Sequence, residues 1–98
     1  MTTLPLFRET LDDRFHAFHA ENPHVYAALR EKALELVAAG RKRLSIKMLF
    51  EVLRWEHLLT TTDPDFKLNN NYHSRYARLL MDRNPTLRGV FETRELHS

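Results

Sequence analysis

Apolar residues recur at helical spacing in four separate stretches of this chain. Leu11, Phe15 and Phe18 share one face at about 100° per residue and predict a first helix from Leu11 to about Ala20. Thr10 stands at its N-cap, and Asp12 and Asp13 suit the positive end of the helix dipole. Asn22-Pro23 ends that helix, because a residue before proline avoids the α region. The same dipeptide starts the next helix, with Asn22 as cap and Pro23 in the first position. This second helix is predicted to run to about Ala39, where Gly40 is a natural stop. Val25, Tyr26, Leu29, Ala33, Leu36 and Val37 form its apolar stripe, and His24, Glu31 and Glu35 fall opposite.

The third stretch has a different pattern. With Ser45 as cap, a helix from Ile46 to about Leu59 carries two apolar faces. One holds Ile46, Leu49, Phe50 and Leu53; the other holds Met48, Val52, Trp55 and Leu59. Lys47, Glu51 and Arg54 leave only a narrow polar arc between them. A helix apolar on two sides sits in the middle of a bundle or turns one side to an interface. After it, Asp63-Pro64-Asp65 reads as a turn, Phe66-Lys67-Leu68 as a short extended piece, and Asn69-Asn70-Asn71 as a cap or turn. A fourth helix is predicted from about Tyr72 to Arg83. Tyr72, Tyr76, Leu79 and Leu80 point inward on it, while Ser74, Arg75, Arg78 and Asp82 form an exposed strip. Asn84-Pro85 repeats the earlier start signal and predicts a short fifth helix, with Leu87, Val90 and Phe91 packing inward. The tail from Glu92 is expected to fray.

These elements predict a single all-α domain of four or five helices across residues 1–98, with room for a short β element near residues 66–68. A chain of 98 residues suffices for one domain and its core. The absence of cysteine excludes disulfides and thiolate metal sites and agrees with a reducing compartment. No apolar run nears the roughly 20 residues that span a bilayer. MTTLPLFRET lacks a basic segment followed by an apolar one, so no signal peptide and a cytoplasmic location are expected.

Candidate chemistry is sparse. His16 and His19 are three residues apart and could share a metal on a helix, with Glu21 or His24 as further ligands. Their directions differ by about 60°, however, and a polar flank of the first helix explains them better. Asn69-Asn70-Asn71-Tyr72-His73 has the residue types of some nuclease sites, and Asp63 and Asp65 are near in sequence. The metal and activating group that cleavage needs are not assembled by any spacing here. Ser45 lacks a nucleophile elbow and is better read as a cap. The two glycines, Gly40 and Gly89, make no phosphate loop. The sequence therefore predicts no catalytic residue, no metal and no cofactor. Trp55, Tyr72 and Tyr76 could stack bases, but core packing is the expected role. Glu51 and Arg54 read as a local salt bridge, or, if partly buried, as a pair that fixes a neighbour.

Charge distribution adds one further signal. Residues 1–40 carry four Lys/Arg and six Asp/Glu, a balance of −2; residues 41–98 carry eleven and seven, a balance of +4. Arg41, Lys42, Arg43, Lys47, Lys67, Arg75, Arg78, Arg83 and Arg88 make up most of the basic half. Long cations interleaved with Asn69 and Asn70 suit phosphate contact, and Arg and Asn can read base edges. The segment from Gly40 to Arg83 reads loosely as helix, connector, helix. It departs from a helix-turn-helix, whose connector is three or four residues. A solvated basic face with no ligand is the plain alternative.

Phe15-His16-Ala17-Phe18-His19 with Asn22-Pro23, Glu51-Val52-Leu53-Arg54-Trp55-Glu56, and Lys67-Leu68-Asn69-Asn70 with Tyr76-Ala77-Arg78 resemble a family of small phage and prophage proteins with no settled activity. The resemblance spans most of the chain. It implies a mobile-element setting, where small proteins bind DNA or disable a host protein, and it carries over no site residue.

The first functional expectation is a non-enzymatic module for double-stranded DNA, a phage or prophage regulator in type. Lys67, Asn69, Asn70, Arg75 and Arg78 would form its contact face, and Arg41, Lys42 and Arg43 would add phosphate contacts. Affinity is expected to be weak unless the protein dimerises, because one small module neutralises few phosphates. The alternative is a protein-interaction module, an inhibitor of a host protein or a homodimer, that docks through Met48, Val52, Trp55 and Leu59. A small metal-dependent nuclease is the remote third reading.

Overall fold

A computed structural model describes residues 10–60 and 68–91. Within them lie four helices: α1 (Leu11–Glu21), α2 (Pro23–Ala38), α3 (Ile46–Thr60) and α4 (His73–Arg83). Short 3-10 turns occupy Asn70–Tyr72 and Pro85–Leu87. The all-α reading holds. The short fifth helix is a single 3-10 turn. The expected β piece falls on Phe66 and Lys67, outside the described residues, and on Leu68, which belongs to no strand.

Local chemistry sets the helix ends. Thr10 and Asp13 form a reciprocal capping box: the Asp13 amide donates to the Thr10 hydroxyl at 3.1 Å, and the Thr10 amide donates to the Asp13 carboxylate at 3.1 Å. These bonds, the backbone one first, hold the Asp13 carboxyl below its usual range. Thr10→Ala is expected to cost about 1 kcal/mol of stability, the ordinary weight of a side-chain N-cap. Urea melts check it; an unchanged midpoint would place the start of α1 under some other control.

Asn22 differs from the sequence expectation. Its side chain makes no cap bond to α2; instead its Nδ2 donates to the Phe18 carbonyl at 3.0 Å and closes α1. Pro23 begins α2 without help, since its missing N–H needs no acceptor. At the other end of α2, Gly40 takes a left-handed φ of +99°. Its amide donates to Val37 and the Arg41 amide donates to Leu36, each at 3.0 Å, which completes a Schellman stop. That turn throws Arg41-Lys42-Arg43 outward. Ser45 caps α3 as expected, accepting from the Met48 amide at 3.1 Å.

α3 and α4 run antiparallel. Arg54, late in α3, bonds to Leu68 and Asn70 just before α4, while Leu44, just before α3, donates to Val90 after α4 at 2.8 Å. α1 and α2 close the other side. Phe15 meets the Tyr76 ring edge-on at 4.8 Å, and Leu29, Leu49, Phe50, Leu80 and Leu87 complete a core with almost no exposed surface. Tyr72 and Tyr76 are buried, as read from the sequence; burial holds the Tyr76 hydroxyl well above its ordinary pKa.

Among the described residues, one polar side chain, Asn84, belongs to this core. Asn84 accepts from Arg30 Nε at 2.7 Å and donates to the Tyr26 hydroxyl at 3.0 Å and the Leu80 carbonyl at 2.9 Å. It thereby ties the end of α4 to the outer flank of α2.

Candidate interaction site on the outer face of the third helix

α3 buries one of its two apolar faces. Leu49 and Phe50 are covered, and Ile46 and Leu53 pack against the same core. The other face stays open: Met48 is 46% exposed, Val52 37%, Trp55 62% and Leu59 68%. Leu58 extends it and is 74% exposed. Core packing was the sequence expectation for Trp55, and the structure corrects it. At about 100° per residue Trp55 lies opposite the buried face, so no neighbouring helix can cover both.

This face borders a groove between α2 and α3. One hollow of about 370 Å³ is floored by Leu36, Ala39, Leu49 and Val52; a second of about 420 Å³ is lined by Ala28, Leu53, His57 and Leu59. The Lys32 ammonium meets the Glu56 carboxylate at 2.7 Å across the helices at this groove. Lys32 is mostly covered while Glu56 is half-exposed, so solvent still screens the pair and its weight in stability is modest.

On the opposite flank of α3, Arg54 binds Glu51, the Leu68 carbonyl at 2.7 Å and the Asn70 side chain. The simple local salt bridge is therefore incomplete as a description. Arg54 positions the chain entering α4, and the three acceptors hold its guanidinium over Phe50, 6.0 Å from the ring centre.

The predicted nucleic-acid residues are dispersed. Arg41, Lys42, Arg43 and Arg78 are exposed. Arg75, expected on an open strip, is mostly covered and holds Asp12 of α1 at 2.5 Å. Asn70 is engaged by Arg54, and Asn69 accepts from the Asn71 amide at 2.8 Å to start the 3-10 turn. Lys67 lies outside the described residues, as do Asp63 and Asp65.

No cluster of three metal-capable side chains occurs among the described residues, so His16 and His19 gain no partners there. His19 stacks beside Phe15, with ring centres 6.1 Å apart, and His73 sits edge-on to Phe50 at 4.3 Å. Burial lowers both imidazole pKa values first; Arg83 and His16 add to this at His19, and Arg54 and Lys47 at His73, where Glu51 opposes them. A histidine whose folded pKa is depressed binds fewer protons than it does unfolded. Its contribution is intact above the unfolded pKa near 6.5 and declines as pH falls toward the folded value. The melting temperature is expected to drop between about pH 7.5 and about pH 5.5, and His19→Gln with His73→Gln should flatten that slope. An unchanged slope in the double variant would contradict this assignment.

Comparison with known protein families, characterised proteins and solved structures finds no match. The site must therefore be read from its own chemistry.

Leu58 and the Lys32–Glu56 pair were not singled out from the sequence. Leu58 stands about 60° from Trp55 on a helical projection, and that signal was available. An ion pair between helices 24 residues apart leaves no local pattern.

Proposed function

We propose that this protein is a non-enzymatic interaction module that docks another protein surface through the outer face of α3. The observation that carries the reading is the open strip of five large apolar side chains from Met48 to Leu59 on a folded helix. Contiguous patches of this kind on small domains mark interaction sites. The aromatic Trp55 at its centre has the character of an interface anchor, and the adjoining groove offers hollows for a partner's side chains.

Trp55→Glu tests this. If the face is open, the variant keeps its helical spectrum and its stability changes by no more than about 0.5 kcal/mol, as at other surface sites. It should also bind less of an apolar dye than the parent does. A loss above about 3 kcal/mol, typical of a disrupted core aromatic, would mean that the face is packed within the chain and would end the docking reading.

A specific feature favours a second reading, double-stranded DNA. Arg41, Lys42 and Arg43 form an exposed basic turn, and the bond from Leu44 to Val90 brings exposed Arg88 to the same end. Fluorescence anisotropy of labelled duplex at two salt concentrations tests it. Salt-sensitive binding weakened by replacing Arg41 and Arg43 supports a phosphate-contacting role. Absence of binding below tens of micromolar at low salt removes it.

A further inference from the structure

We infer that the edge formed by residues 83–91 along α2 is a track for the phosphate backbone of double-stranded DNA, and that it follows the backbone without reading the bases. The inference rests on the double-stranded DNA reading and specifies which surface makes the contact and what that surface recognises.

The edge is built by the segment that follows α4. Its buried residues recur at every third position, at Asn84, Leu87 and Val90. Pro85, Thr86, Arg88 and Gly89 between them are exposed. Both ends are tied down. At the first, Asn84 holds Arg30 Nε at 2.7 Å and the Tyr26 hydroxyl at 3.0 Å, and the Arg83 guanidinium lies over the Tyr26 ring, 5.6 Å from its centre. At the other, the Val90 carbonyl accepts from the Leu44 amide at 2.8 Å, which sets the segment beside Arg41-Lys42-Arg43. Arg88 stands between the two, its amide donating to the Pro85 carbonyl at 3.2 Å.

These contacts bring six cations from separate parts of the chain to one edge. Arg30 and Arg83 stand at its start, Arg88 along it, and Arg41, Lys42 and Arg43 at its end. All six are exposed. Among the described residues none of them has a carboxylate within ion-pair distance, whereas Lys32, Arg54 and Arg75 each do. Uncompensated like charges repel one another, and a bound polyanion relieves that repulsion while releasing its own counterions. The bond from Asn84 orients Arg30 in advance, so less side-chain freedom is lost on contact.

Length favours a linear polyanion over a small one. Six residue steps from Asn84 to Val90 reach at most roughly 20 Å. A DNA strand rises about 3.4 Å per phosphate, so the edge can face several phosphates in succession. The side chains suited to reading base edges are already engaged: Asn70 by Arg54, Asn69 by the Asn71 amide, and Arg75 by Asp12. Arg88 and Arg41 to Arg43 stand on turns, and not on a helix that could enter a major groove.

The test is fluorescence anisotropy of the full chain with two duplexes of equal length and unrelated sequence, across a salt series. The two affinities should agree within about twofold, with a logarithmic salt slope of roughly −3 to −4.5, the range for three to five phosphates. Arg83→Gln and Arg88→Gln should each reduce that slope by about 1 on both duplexes. Arg78→Gln, about 140° around α4 from Arg83, should leave it unchanged. Arg88 makes no side-chain bond among the described residues, so its variant keeps the test valid even if Arg83→Gln disturbs Tyr26. A preference of about tenfold or more for one duplex, the scale of a base-edge contact, would overturn backbone-only recognition and leave the DNA reading in place. A reduced slope in Arg78→Gln, with none in Arg83→Gln or Arg88→Gln, would move the contact to the outer side of α4 and overturn the track. Absence of binding at low salt would remove the DNA reading itself, and the track with it.

Discussion

Phe50→Ala is expected to lower the unfolding free energy by about 3–5 kcal/mol, the usual cost of emptying a buried phenylalanine site. Phe50 has no exposed surface. It lies edge-on to His73 and to Tyr76, the latter with ring centres 5.9 Å apart, and beneath the Arg54 guanidinium. These walls belong to α3 and α4, and each is fixed by other contacts: Tyr76 by Phe15, Arg54 by its three acceptors. Partial collapse of the cavity is therefore restricted, which places the cost toward the upper part of the range. Small domains hold only about 5–15 kcal/mol in total, so the variant should be marginal. Urea melts should show a lower midpoint with an unchanged slope. Trp55, five residues on in the same helix, should tolerate replacement at little cost. Similar losses at both positions would mean that α3 is buried all round.

Asn84→Ala is expected to cost about 2–4 kcal/mol, because one buried side chain satisfies three groups and one of its bonds is to a charged guanidinium. Alanine would leave the Tyr26 hydroxyl without its donor and Arg30 without its acceptor, while removing a lateral tie between α2 and the end of α4. Asn84→Asp separates these contributions. The carboxylate can still accept from Arg30, but it cannot donate to Tyr26 or Leu80. Its loss should fall between that of alanine and none, as measured by thermal or urea unfolding. Full stability in Asn84→Ala would mean that the hydrophobic contacts of Leu80 and Leu87 hold this corner alone.

The helices were legible because their signals are local. Thr10 with Asp13, Pro23, Gly40 and Ser45 each act within one turn, and the boundaries of α1 to α3 follow from them. The two-faced character of α3 was equally plain, but periodicity cannot say which apolar face a protein covers. That depends on how many neighbours the chain can supply, and here α2 and α4 both pack on one side. Residue type therefore assigns Trp55 to core packing, while its place beside Met48, Val52 and Leu59 assigns it to a docking face, and the sequence does not choose between them. Asn84 was legible only as part of a helix-start dipeptide, because its partners at Tyr26 and Arg30 stand 58 and 54 residues away. Arg75 illustrates the same limit. Its place on α4 predicted exposure, and only the approach of α1 brings Asp12 to cover it.

The claim that α3 presents an open docking face is tested most directly by the emission and acrylamide quenching of Trp55, the only tryptophan in the chain. The measurement is made on dilute protein whose monomeric mass is verified by sedimentation at the same concentration. Red-shifted emission with rapid quenching is the predicted result, shifting blue and becoming protected when a protein partner is added. Blue, weakly quenched emission from the monomer would contradict the account, because it would mean that the chain covers this face itself.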